Sequence, residues 1–289
     1  MPLPDASSQE GEGKYPIEVE NAAEMGRLSR QARIATRVSG GLFPQGLNIS
    51  QIHDVLDIAC GPGTWSLEVA QTYPQIQVTG FDTSELMINY ARSIAATEGR
   101  QNAHFRVMDA TKPFDFPNGS FDLVHSRFIT GFMPASSWPK MVQECKRVLR
   151  IDGTLILTEA ELPITTSPAF ERLSMLLTQV FHQVGQTFSP DGRHLGITPM
   201  LGRLLREAGF HQIQQVGHVT DFSSNAELHK EYFYPNQVTM FNLMQPFLVR
   251  AGVITWEEMG RLYKQMLEEI QADNFGAITY AVVAWGKKG

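Results

Sequence analysis

The sequence predicts an α/β fold, a doubly wound and mostly parallel sheet carrying helical lid insertions, and three observations predict it. The run VLDIACGPGTW, residues 55–65, writes a buried strand, a glycine turn and a helix start in succession. A second short strand, Gln77 to Phe81, ends at Asp82 and is followed by the helical pattern Met87, Ile88, Tyr90, Ala91 and Ile94. A third, Phe105 to Met108, ends at Asp109. Strands alternating with helical patterns in this way build parallel sheets covered on both faces.

Each element has a local reason. Residues 1–16 are polar and rich in turn formers, which predicts a disordered tail. From Glu18 to Val38, the apolar Val19, Ala22, Met25, Ala32 and Ala35 recur at near-helical spacing, and Gly40 and Gly41 end the pattern. This cap helix precedes the glycine turn and is placed to fold over its cleft. Val55, Leu56 and Ile58 form the first strand, buried on both faces. Gly61 and Gly63 permit backbone angles and close approaches that a side chain forbids, and Pro62 stiffens the bend between them. Thr64 opens the next helix, whose free N–H groups point back into the crevice and favour an anionic group.

Asp57 lies inside the end of the first strand, where a carboxylate is costly to bury without a partner. Asp82 reads either as a helix N-cap or as the acidic residue that takes the two ribose hydroxyls of an adenosine. Asp109, at the same sheet edge, is placed to accept the exocyclic amine of adenine. Carboxylates at three successive strand ends suit a cofactor without phosphates.

At these residues the chain resembles the class I S-adenosylmethionine-dependent methyltransferases, closely over about residues 50 to 160. DIACGPG is similar to the family's acidic-x-Gly-x-Gly-x-Gly motif, with Ala59 and Cys60 ahead of Gly61 and Gly63. GFDTSELM resembles the ribose-binding strand, which brings in Thr83 and Met87, and VMDA resembles the adenine contact, Asp109 and Ala110. FDLVHSRF is similar to the fourth strand, and ECKRVLRIDGTLILTE to the helix and fifth strand that follow, with IDG in place of the more usual KPGG. The resemblance implies a seven-stranded sheet whose last strand is reversed, and AITYAVVAWGKK, residues 277–288, matches that strand. It also implies S-adenosyl-L-methionine as cofactor and S-adenosyl-L-homocysteine as product. The residues expected to hold the cofactor are Asp57, Ala59, Cys60, Gly61, Gly63, Thr64, Asp82, Thr83, Met87, Asp109, Ala110, Ser126 and Arg127, with Tyr15 and Gln31, beside Arg27, closing over its methionine end.

Composition narrows the partners. A net charge of −6 and a pI near 5.8 leave no footprint for a phosphate backbone, so nucleic acid is not expected. Cys60 and Cys145 are the only cysteines, which excludes a disulfide framework and fits a reducing cytoplasm. Cys60 reads as a small packing residue, because no base is written beside it. No run approaches a membrane span, and none reads as a signal peptide. A monomer or homodimer without membrane association is expected.

Two segments exceed what the basic fold needs. Residues 161–197 contain an apolar helix from Phe170 to Val184, and residues 223–275 separate the sixth strand from the seventh, where a hairpin would suffice. Thr255-Trp256-Glu257-Glu258 reads as a capping box. Tyr232, Phe233, Tyr234, Phe241, Met244 and Phe247 make the stretch before it aromatic. They either pack the insertion onto the core or roof an acceptor pocket, with Phe241 and Phe247 as candidate substrate contacts.

The chemistry implied is displacement at an activated methyl group, in which positioning does much of the work. His125, at the end of the fourth strand, is the candidate general base if the nucleophile must lose a proton; strand alternation allows it to point to either face. No metal-ligand spacing is written, and no metal is expected. HSRFITGF lacks the Pro-Pro-aromatic run of the amino-directed members, so Arg127 is left to reach the methionine carboxylate, an acidic acceptor or a structural partner. The function read from the sequence is O-methylation of a small, mainly apolar metabolite, in the manner of secondary metabolism. The alternatives are C- or N-methylation on the same scaffold, or a non-methylating cyclase or regulatory protein that binds the same cofactor. A nicotinamide dehydrogenase ranks below these, since Ser66 stands where the third glycine of G-x-G-x-x-G would fall.

Overall fold

A computed structural model describes residues 21–289 of the chain. The expected tail and Tyr15 lie outside the described residues, as does the start of the predicted cap helix. The elements run α1 (Ala22–Val38), β1 (Asp54–Ile58), α2 (Thr64–Thr72), β2 (Gln77–Asp82), α3 (Glu85–Thr97), β3 (Ala103–Val107) and β4 (Phe121–Arg127). They continue with α4 (Trp138–Val148), β5 (Leu149–Ala160), β6 (Ile164–Thr165), α5 (Pro168–Gln183), α6 (Leu201–Glu207), β7 (Phe210–Asp221), α7 (Tyr234–Arg250), α8 (Trp256–Glu269) and β8 (Ala277–Lys288).

The sheet order is β3-β2-β1-β4-β5-β8, with β7 on the far side of β8. The first five strands are mutually parallel, and β8 runs antiparallel to β5 and to β7. This is the expected doubly wound sheet with a reversed last strand. The two-residue β6, which pairs Ile164 with Ile278, adds an eighth member that the sequence did not announce. It continues the β5 edge along β8, and nothing longer than a ladder rung marks it in the chain.

Alternation along each strand divides the core. Leu56, Val124, Leu155 and Leu157 face a core shared with α4, α5, α6, α7 and α8. Val55, Leu123, Ile156, Val283 and Trp285 face a second core under α2 and α3. Both sides of the sheet are buried, which is why β1 reads as a continuous apolar run.

Helix starts are set by side chains. Asn21, Ser84, Ser167 and Thr255 each accept a hydrogen bond from a backbone N–H of the turn they open. The helix after the glycine turn differs from expectation: Thr64 is its first residue, and the cap is Gly63, at φ 75° and without a side-chain bond. The third strand also begins earlier, at Ala103, because pairing with β2 extends back to Val78. No helix among the described residues is long and apolar enough to cross a membrane.

Candidate active site

The turn after β1 is built from alternating left-handed residues, Ala59 at φ 53°, Gly61 at φ 53° and Gly63 at φ 75°. At Gly61 the missing side chain leaves the backbone bare at the cleft. Gly63 does different work: a Cβ there would stand 2.8 Å from Ala91 and from Phe105, so it lets α2 and α3 close on β3. Cys60 packs its sulfur over Gly80, 2.9 Å from where a Cβ would sit. Burial, with Asp57 and Asp82 nearby, pushes its thiol well above the ordinary range, which makes it a packing residue.

Asp82 ends β2 and ties two backbones together, accepting from Gly61 N–H at 3.0 Å and from Ser84 N–H at 2.9 Å. Burial raises its pKa, against the lowering effect of those two donors. Each of its oxygens keeps acceptor capacity beyond the single N–H it meets. Asp109 accepts from the Thr111 N–H at 2.8 Å and hydroxyl at 2.7 Å through one oxygen.

These groups open onto a cavity of about 260 Å³. One end is walled by Ala59, Cys60, Gly61, Thr64, Asp82, Thr83, Met87, Asp109 and Ala110, all expected from the sequence. The other end is apolar, formed by Phe132, Met133, Leu162, Leu177, Phe181, Leu195, Met240 and Met244. Leu28, Gln31 and Ala32 of α1 line it as well. Arg27 fixes α1 through Glu24, at 2.6 and 2.7 Å, and reaches Asn236 of α7 at 3.2 Å. The cap helix is thereby joined to the insertion.

Arg127 lines the same cavity. Its Nη1 donates to Thr36 Oγ1 at 3.3 Å, and its buried Nη2 meets no acceptor among the described residues. Burial lowers its pKa to about 10, with Asp57 and Glu68 opposing, so it stays charged at neutral pH.

Other candidates lie elsewhere. His125 is not among the cavity-lining residues. It pairs in register with Asp57 across β1 and β4, its Nδ1 stands 2.9 Å from Asp57 Oδ1, and its ring stacks on Trp65 at 3.7 Å. Strand alternation turns it toward the α2 side of the sheet, where it borders a separate cavity of about 270 Å³ with Phe43, Thr158 and Trp285. Asp57, which does line the cleft, is held on its other oxygen by Ser66 Oγ at 2.6 Å. Ser126 is buried without lining the cleft. Phe241 is fully buried against Phe170, and Phe247 sits against Phe181; neither lines the cavity, because α7 presents Met240 and Met244 instead. That i, i+4 pair, like Leu28 with Gln31 and Ala32, is the helical signal that marks the lining face. Among the described residues no group of His, Cys, Asp or Glu is arranged to hold a metal ion.

A bare left-handed turn and carboxylates on consecutive strand ends make this cleft the candidate nucleoside-cofactor site on the doubly wound sheet. Residues 55–153 match the methyltransferase domain family. A malonyl-[acyl-carrier protein] O-methyltransferase of Legionella pneumophila is 31% identical over 131 residues, 45% of this chain and 44% of that protein. A methyltransferase of Aspergillus terreus is 25% identical over 203 residues, 70% of this chain and 59% of that one. The chain thus matches about half the length of these relatives. The YcgJ protein of Bacillus subtilis shares the fold, with a TM-score of 0.52 and 17% identity over 82% of this chain and 92% of that one. Over residues 55–153, the segment that carries the glycine turn and the strand-end carboxylates, the chain is therefore similar to methyltransferase domains.

Proposed function

We propose that the protein transfers a methyl group from S-adenosylmethionine to an oxygen of a small, mainly apolar metabolite. The observation that carries this reading is the continuity of one cavity from the carboxylate-lined turn into an apolar compartment. Asp82 and Asp109 would hold the ribose and adenine, and the turn from Ala59 to Gly61 would lie against the rest of the cofactor. When bound, S-adenosylmethionine supplies an activated methyl on a cationic sulfur.

The chain's own contribution is placement and dryness. Leu162, Leu177, Phe181, Met240 and Met244 exclude water from an acceptor and give its apolar body a surface to bury. Arg127 offers an unpartnered N–H to an anionic or polar end of that acceptor. Phe132 and Met133 of this compartment fall within the matched domain, whereas Leu162, Leu177, Phe181, Leu195, Met240 and Met244 come from the segments after residue 153. Oxygen as the methylated atom is favoured by the O-methyltransferase among the relatives.

Incubating the protein with deuteromethyl-labelled S-adenosylmethionine and a panel of apolar phenols, acids and amines, then weighing the products, tests this. The expected outcome is S-adenosylhomocysteine together with a labelled methyl ether or ester. Labelled amines or C-methyl products would move the reading to the alternative acceptor atoms. Cofactor binding with no turnover across the panel would favour a non-methylating role.

A further inference from the structure

Beside α5 and α7, two loops contribute to the walls of the acceptor compartment, and both are tied to one short stretch of chain at the end of β5. Glu159 is the penultimate residue of β5, and Glu161 is the first residue after it. Both are buried, with 1% and 7% exposure, and among the described residues neither is joined to a cationic side chain in an ion pair.

Glu159 accepts from the backbone N–H of Ile129 at 2.8 Å and of Thr130 at 3.4 Å. The Ile129 carbonyl in turn accepts from Phe132 at 3.2 Å and Met133 at 2.9 Å, and both of those residues line the cavity. Phe128, which begins the loop and also lines the cavity, sits at φ 57°, a left-handed angle that a non-glycine residue holds only when its surroundings impose it. Glu161 accepts from Leu195 N–H at 2.9 Å, Gly196 N–H at 3.1 Å, and the Thr198 N–H and hydroxyl at 3.4 and 3.0 Å. Leu195 lines the cavity from the opposite loop.

A buried carboxylate is costly, and a neutral packed side chain would hold a core as well. What these two supply instead is direction: each gathers N–H groups that a loop leaves unpaired and fixes that loop relative to β5. Burial raises the Glu159 pKa to about 8. A neutral amide of the same shape still presents a carbonyl oxygen to the Ile129 N–H.

We propose that Glu159 and Glu161 are positioning residues for the acceptor, a pair of latches that hold the 128–133 and 195–198 loops in place as parts of its compartment wall. The proposal rests on the methyltransferase reading. Neither residue touches the cofactor end of the cavity, so the cofactor and the acceptor are expected to respond differently to their loss.

The test uses Glu159→Ala, Glu159→Gln, Glu161→Ala and the wild type, with S-adenosylhomocysteine calorimetry, backbone amide exchange and steady-state kinetics on an accepted substrate. Glu159→Ala is expected to speed exchange at residues 129–133 and Glu161→Ala at 195–198. Each should raise the acceptor KM by about tenfold or more, with a smaller change in kcat and an S-adenosylhomocysteine Kd within about twofold of wild type. Glu159→Gln should recover a KM within about threefold of wild type, because it keeps an acceptor for Ile129. If Glu159→Ala does not fold, Glu159→Asp, one methylene short of Ile129, carries the same expectation. An unmoved acceptor KM, or a KM and a cofactor Kd that worsen together, overturns the latches. A wild type that binds S-adenosylhomocysteine yet converts no acceptor overturns the functional reading on which they rest.

Discussion

Asp82 and Gly61 are joined by a 3.0 Å hydrogen bond from the turn's backbone to the carboxylate at the end of the neighbouring strand. The residue expected to hold the ribose therefore also sets the shape of the loop that lies against the cofactor. Asp82→Ala should weaken S-adenosylhomocysteine binding by about 1.5 to 3 kcal/mol, roughly ten- to a hundredfold, by calorimetry. Unchanged affinity would remove Asp82 from the cofactor site.

Ala59 holds a left-handed backbone at φ 53°, an angle that strains an L-residue by roughly 1 to 2 kcal/mol. Part of that gain is offset by the extra freedom glycine brings to the unfolded chain. Ala59→Gly should raise stability by about 0.5 to 1 kcal/mol, a shift of roughly 1 to 3 °C in Tm, and leave cofactor affinity close to wild type. A fall in Tm would mean that the methyl group of Ala59 packs in a way that outweighs its backbone angle.

His125 is buried, and burial lowers its pKa from the ordinary 6.5, against the raising effect of Asp57. The folded state therefore resists protonation that the unfolded chain accepts. The stability this neutral histidine contributes is present above pH 6.5 and is lost as pH falls from there toward its folded pKa. His125→Asn should flatten that acid limb in Tm measured against pH. His125→Ala should cost about 1.5 to 3 kcal/mol by removing the hydrogen bond from a neutral imidazole to buried Asp57. The pH profile of kcat/KM should keep its shape in both variants. A lost basic limb would instead identify His125 as the proton acceptor.

Helix α7 provides a comparison between neighbours. Met240→Ala and Met244→Ala should raise the acceptor KM or reorder acceptor preference with little change in cofactor Kd, since both side chains line the cavity. Phe241→Ala, one residue away and fully buried against Phe170, should cost about 3 to 5 kcal/mol of stability and leave acceptor ranking alone. The reverse pattern would place the wrong face of α7 at the site.

The two halves of the cavity differ in how far the sequence exposes them. The cofactor end is contiguous: a strand, its turn and the next helix start occupy residues 55–65, and Asp82 and Asp109 sit where their own strands stop. Local chemistry decides their positions. The acceptor end is assembled from Leu162, Leu177, Leu195 and Met240, which lie on separate segments and meet only through packing. Along α7 apolar residues occur on every side, so the phase that separates Met240 from Phe241 is set by α5 and α1 and not by pattern. His125 stood on a strand whose two faces are both apolar, and the choice between them came from Asp57 in the adjacent strand. The roles of Glu159 and Glu161 leave no signal in the sequence, because their partners at 129 and 195 carry the bonds on backbone N–H groups that no side chain announces.

The cavity beside Asp82 is expected to hold S-adenosylmethionine, and calorimetric titration with its product tests this most directly. S-adenosylhomocysteine should bind the wild-type protein saturably at one site per chain, bind Asp82→Ala at least about tenfold more weakly, and outcompete NADH, which should give no measurable heat. Saturable NADH binding with none for S-adenosylhomocysteine would contradict the account.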